Sequence, residues 1–192
     1  MNLSKQERRD NAQQFLQAFS NRRDWLVLDT ETTGQDPGED EVVEIAVLTA
    51  RGEVLVDKLV RPKTQIDEAA SEVHGIYWDD VERKPHITGI RELPFLLTGH
   101  PVLVYNKDFD MPIIRNSILN AGGEPMAQFW DPRCVMKAYA MACGDWNEQY
   151  GSYSWVSLEG ACIDQGIEIG EDIELHRARG DAELTRRLVH SF

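Results

Sequence analysis

The chain is short of cysteine, of basic charge and of long apolar stretches, and each shortage excludes something. Its three cysteines, Cys134, Cys143 and Cys162, are an odd number with no C-x-x-C pair. That argues against a disulfide scaffold and a structural zinc site, and a reducing cytoplasm is the expected setting. No apolar run approaches the roughly 20 residues needed to span a bilayer, so no membrane partner is expected. The opening MNLSKQERRD is charged and no apolar core of signal-peptide length follows it, so export is not expected. Lys and Arg number 20 against 33 Asp and Glu, a net charge of −13. Taken alone, that balance disfavours a phosphate backbone as partner. The deficit is uneven: residues 1–25 and 176–192 each carry a local +2, which leaves −17 on residues 26–175. An acidic centre with mildly basic ends fits a plain solvated surface, and equally a metal site rimmed by phosphate-binding side chains. What is present is ordinary for a globular protein: 192 residues, 42% hydrophobic and 28% charged. One domain with at most a small appendage is expected.

Ser4 and Glu7 form a capping box ahead of Ala12, Phe15, Leu16 and Phe19, whose spacing predicts an amphipathic helix over 4–20. Trp25–Leu28 reads as a buried central strand that stops at the polar string Asp29-Thr30-Glu31-Thr32-Thr33-Gly34. Strands are expected over 41–49 and 53–60, joined at Arg51-Gly52. Short helices are read at 67–74 and 78–83, and another through Ile87–Leu97, kinked or shortened by Pro94. A strand follows over 102–105, then a helix over 108–121 with Pro112 in its first turn. Phe129-Trp130 is read as a short strand before a helix near 133–143. Residues 144–156 read as aromatic and irregular, with Trp146, Tyr150, Tyr153 and Trp155 assigned to core packing rather than base stacking. Helices over 157–165 and from 178 onward complete an α/β pattern with a mixed sheet.

Three acidic motifs stand out. Asp29 and Glu31 are two apart at the end of a strand and therefore share a face. Paired carboxylates repel unless a cation lies between them, and hard oxygen ligands suit Mg²⁺ or Mn²⁺. Asp110 lies in Val104-Tyr105-Asn106-Lys107-Asp108-Phe109-Asp110, where a helix N-cap is the simpler role for a lone aspartate. His176-Arg177-Ala178-Arg179-Gly180-Asp181 carries a histidine and an aspartate that, alone, read as a surface ring and a partner for Arg177.

Together, in this order, Asp29-x-Glu31, Asn106-x-x-Phe-Asp110 and His176-x-Ala-x-x-Asp181 resemble the three motifs of the DEDDh branch of the DEDD exonuclease superfamily. The likeness is to proofreading exonucleases of the DNA polymerase III epsilon-subunit type. It covers roughly residues 24–190 and includes Val43-Glu44-Ile45-Ala46, Val73-His74-Gly75-Ile76 and Ser157-Leu158-Glu159. It departs at Tyr105, at Asp131-Pro132 and at Arg179-Gly180, where Gly180 is expected to weaken a helix start by up to ~1 kcal/mol relative to Ala.

The resemblance implies an RNase H-like fold, a mixed sheet of about five strands flanked by helices. It implies two Mg²⁺ or Mn²⁺ ions held by Asp29, Glu31, Asp110 and Asp181, an arrangement suited to clamping both the attacking and the leaving oxygen at phosphorus. His176 would be the general base, on a loop ahead of the last helix, with Asp181 one turn inside it. Thr32, Thr33, His74, Asn106, Arg177 and Arg179 are the candidate substrate contacts. The implied activity is 3′→5′ hydrolysis to nucleoside 5′-monophosphates, on single-stranded or frayed DNA. An exoribonuclease of the oligoribonuclease or ribonuclease T type, and a non-catalytic polymerase- or nucleic-acid-binding subunit, are the alternatives. Residues 1–22 are expected as a helical extension and 23–192 as the exonuclease domain. The extension's apolar stripe would cover a sheet edge, pair two copies in a homodimer or dock a polymerase.

Overall fold

The computed structural model describes residues 3–125 and 130–192. Five strands form the main sheet: β1 (Leu26–Thr32), β2 (Val42–Thr49), β3 (Val54–Leu59), β4 (Pro101–Val104) and β5 (Asp131–Cys134), in the order β3-β2-β1-β4-β5. Strands β1, β2 and β3 pair antiparallel as a meander, while β4 and β5 are parallel to β1. The expected α/β fold with a mixed sheet is the one found.

Strand β1 is paired on both sides and carries both expected carboxylates. It does not stop at Asp29: its ladder with β2 continues through Glu31↔Glu44 to Thr32↔Val42. Backbone pairing holds these polar residues extended where side-chain character alone suggests a turn. Val27 faces one core and Leu26 and Leu28 the other, so alternation puts Asp29 and Glu31 on the Val27 side and Thr30 on the opposite one.

The Val27 side is covered by α1 (Lys5–Ser20), α6 (Val135–Cys143), α7 (Leu158–Asp164) and α8 (Ala178–His190). The capping box of α1 is formed, with Glu7 N–H donating to Ser4 Oγ and Ser4 N–H to the Glu7 carboxylate at 2.8 Å. Ala12, Leu16 and Phe19 are buried, and the Phe19 carbonyl accepts from Trp25 Nε1 at 2.8 Å. His190, at the end of α8, places its ring nitrogens 3.2 and 2.8 Å from the Ser20 and Ala50 carbonyl oxygens. The other side is covered by α5 (Lys107–Asn120) and α4 (Leu93–Leu97).

Between β3 and β4 lie α2 (Glu68–His74), α3 (Trp78–Val81) and a 3-10 turn over Ile87–Gly89, so the helix expected through Ile87–Leu97 is split in two. Pro112 sits inside α5, beyond its first turn. Trp130 makes an isolated bridge to Thr98 rather than a strand, and Phe129 lies outside the described residues. The stretch read as irregular contains a small hairpin, β6 (Trp146–Asn147) with β7 (Ser152–Tyr153). Tyr153 is buried in it, but Tyr150 and Trp155 are exposed, against the expectation of core packing. Among the described residues no helix is long and apolar enough to cross a membrane.

Candidate active site

Strand β1 and helix α8 build the centre of the site. Asp181 lies in the first turn of α8, which packs directly on β1 and β2. Ligand atoms of Asp29, Glu31 and Asp181 all lie within 4.8 Å of one another. Asp110 comes from the opposite layer, in the first turn of α5, and is buried. Its carboxylate accepts a 2.8 Å hydrogen bond from Thr30 Oγ1, the β1 residue between the two acidic positions. Strand alternation thus aims Asp29 and Glu31 at α8 and uses Thr30 to hold the aspartate arriving from α5.

The electrostatics of this cluster are unfavourable without a cation. Asp29 is pushed well above the ordinary carboxylate range by burial first, then by Asp110, Asp181, Glu31 and Glu44. Glu31 is pushed up to about 8 by burial and the same neighbours, with Arg177 opposing. Burial raises Asp110 to about 7 against the hydrogen bonds from Thr30. Burial also raises Asp181, to about 6, with His176 holding it down. Four converging carboxyl groups that resist ionisation together need protons or cations, and an all-oxygen set suits Mg²⁺ or Mn²⁺.

His176 is exposed on the turn before α8, with φ 55°, the one non-glycine residue with positive φ among those described. Two contacts flank it. Behind it, a Cβ on Gly180 would lie 2.0 Å from the Glu174 carbonyl oxygen, so only glycine admits this approach. Gly180 thus has a packing role beside its expected effect on the helix start. Ahead of it, the Arg177 guanidinium grips the Glu44 carboxylate with both Nε, at 3.0 Å, and Nη2, and Ala178 N–H donates to Glu44 Oε2 at 2.9 Å. Glu44 is 3% exposed. It caps α8 from a strand 134 residues away, since Arg177 offers no side-chain cap of its own.

The remaining candidates are placed as follows. Thr32 Oγ1 donates to the Gly34 carbonyl and Thr33 Oγ1 to Asp40, both at 2.6 Å. His74 is buried, its Nδ1 accepting from Ile76 N–H at 3.0 Å and its Nε2 lying 3.1 Å from the Thr32 carbonyl oxygen. With Nδ1 an acceptor, the proton sits on Nε2 and the ring donates to Thr32; burial lowers its affinity for a second proton. Asn106 precedes α5, half-buried, without capping it. Arg179 is exposed and lies 3.7 Å from Asp57. Tyr105 is buried, and its hydroxyl donates to the Val156 carbonyl at 2.7 Å, linking β4 to the start of α7. Thr30 and Glu44 were not singled out as site residues from sequence. For Glu44 the visible sign was a carboxylate inside the apolar run Val42–Leu48, which burial obliges to find a partner.

The architecture is an α/β one, a five-stranded mixed sheet with carboxylates on its central strand and on a helix of each flanking layer. The chain belongs to the exonuclease family RNase_T, whose family model matches residues 26–189. It is 28% identical over 175 residues to an uncharacterized exonuclease of Escherichia phage 186, covering 88% of each chain. It is 34% identical over 175 residues to the PolC-type DNA polymerase III of Thermotoga maritima, covering 88% of this chain but 12% of that polymerase. Among solved structures, Exonuclease X in complex with 5′ overhanging duplex DNA superposes with a TM-score of 0.63 at 22% identity, over 86% of this chain and 89% of that one. Escherichia coli Exonuclease I bound to a dT13 oligonucleotide superposes with a TM-score of 0.66 at 20% identity, over 86% and 40%. These likenesses extend the fold, and the protein is an exonuclease by family.

Proposed function

We propose that the protein is a divalent-metal-dependent 3′→5′ exonuclease that removes nucleoside 5′-monophosphates from single-stranded or frayed DNA. The observation that carries this reading is the meeting of Asp29, Glu31 and Asp181 within 4.8 Å, with Asp110 beside them and His176 one turn ahead of Asp181. Asp29, Glu31, Asp110 and Asp181 would hold two Mg²⁺ or Mn²⁺ ions, whose Lewis acidity would polarise the phosphate and neutralise charge on the entering and leaving oxygens. His176, on an exposed turn, takes the proton of the attacking water at a ring nitrogen. Thr32 and Thr33 are buried, with hydroxyls committed to the Gly34 carbonyl and to Asp40, so they and His74, which donates to the Thr32 carbonyl, shape the loop after β1 rather than touch substrate, and Asn106 and Arg179 are the accessible candidates for substrate contact. Arg177, committed to Glu44, orients the helix rather than the phosphate.

DNA is favoured over RNA because the relatives and structural neighbours named above include a DNA polymerase and two exonucleases captured on DNA. Association with a polymerase, or pairing of two copies, is part of the same reading, and neither would use the apolar stripe of α1, which is buried in one core with α8. Three free cysteines fit a reducing cytoplasm as its setting.

Pure protein incubated with 3′- and 5′-labelled DNA and RNA oligonucleotides, with Mg²⁺ or EDTA, tests the reading. Stepwise shortening of 5′-labelled DNA, abolished by EDTA, is expected. Preferential RNA trimming would move the substrate to RNA, and activity in EDTA would remove the metal. His176→Ala is expected to slow single-turnover cleavage by about 10²–10⁴-fold.

A further inference from the structure

Resting on the assignment of His176 as the base, we infer that Glu44 and Gly180 are positioning residues that fix this histidine from two sides. Three observations combine. His176 adopts φ 55°, a left-handed conformation uncommon for a non-glycine residue. The residue two before it, Glu174, rests its backbone on Gly180, where a Cβ would stand 2.0 Å from the carbonyl oxygen. The two residues after it, Arg177 and Ala178, are both bonded to Glu44. His176 is therefore the apex of a turn pinned at both feet.

Glu44 pairs across the ladder with Glu31, so one strand register relates the base to the acidic cluster. The charge pattern suits the task. A buried carboxylate at this point would add to the repulsion on Glu31, and Arg177 opposes that while anchoring the turn. A chain that needed only a capped helix would use Ser, Thr or Asp at position 177. The long reach to β2 instead ties the turn to the sheet that bears Asp29 and Glu31.

Positioning differs from bulk stability and from substrate binding in what it changes. Displacing a catalytic group by about 1 Å costs on the order of 10²-fold in rate. Arg177→Met, Glu44→Gln and Gly180→Ala should each lower single-turnover cleavage at saturating DNA by about 10–100-fold. KM should stay within about twofold, because the substrate groove is left in place, and the rates are compared at saturating Mn²⁺ because Glu44 and Arg177 also act on the charge of Glu31. Glu44→Gln, which keeps an oxygen for Ala178 N–H, should lose least. The deciding measurement is a double-mutant cycle: placed on His176→Ala, Arg177→Met and Gly180→Ala should slow cleavage no further. Glu44→Gln, which keeps the side chain's volume and an oxygen for Ala178 N–H, is the variant that guards against mere unfolding, and its melting temperature should stay near that of wild type.

Additive losses in the cycle would overturn the inference, as would a raised KM with unchanged rate, which would make Arg177 a phosphate contact. If His176→Ala alone proves fully active, the base assignment falls first, and that outcome is distinguishable from failure of the two pins.

Discussion

A carboxylate in this site is worth more to the reaction than to the fold, and Asp29 shows why. Burial first, and then the like charges around it, push it well above the ordinary carboxylate range. Asp29→Asn removes one repulsive group without opening a void. The variant should lose more than about 10²-fold in single-turnover rate, the scale of a missing electrostatic group in an active site. Its melting temperature in EDTA should match or exceed that of wild type. Full Mg²⁺-dependent activity would take Asp29 out of the site.

The same raised values set the sign of the pH dependence. Glu31 at about 8, Asp110 at about 7 and Asp181 at about 6 all lie above their unfolded values. The folded state therefore binds protons more tightly than the unfolded one, and the stability this gives is complete below pH ~4 and lost as pH rises towards 8. Metal-free protein should melt lower at pH 8 than at pH 5.5. Saturating Mn²⁺ should restore most of the difference at pH 8, by mass action. A melting temperature in EDTA that rises over this interval would show that the cluster is not under strain.

At the scale of elements, the sequence was most legible where the determinant is local. The capping box at Ser4, the alternation that puts Asp29 and Glu31 on one face and the Ser157 cap of α7 all follow from neighbours within four residues. The polar string Asp29–Gly34 reads as turn-prone and ends β1 too early, and what holds Asp29–Thr32 extended is pairing with β2, a non-local fact. The Glu44–Arg177 link spans 133 residues and left no spacing to read. Nor did aromatic content reveal that Tyr150 and Trp155 face solvent while Tyr153 does not. Helix α1 lies before the stretch matched by the family model, yet it belongs to the same core as α8: Leu16 is fully buried, beside Phe19 and Trp25. Leu16→Ala should cost roughly 2–5 kcal/mol, measured by denaturant unfolding, while leaving the rate of the folded enzyme unchanged. A loss well under 1 kcal/mol would mean that α1 is an appendage rather than part of the core.

For the molecule as a whole, the arginines around α8 have a consequence for how fast DNA arrives. Arg177 is held by Glu44, Arg186 by Glu183, and Arg187 by Glu183 and Asp172. These cations are largely neutralised where they stand, and the far field of the chain remains that of its net charge, −13. Proteins that meet DNA through free lysines and arginines associate more slowly as salt is added, because screening removes an attraction. Here screening removes a repulsion. With Ca²⁺ in place of a catalytic metal, stopped-flow association with a fluorescent oligonucleotide should speed up as NaCl is raised from about 20 to 150 mM, over which the Debye length falls to about 8 Å. A rate that falls steeply over that range would reveal a cationic track strong enough to outweigh the acidic surface.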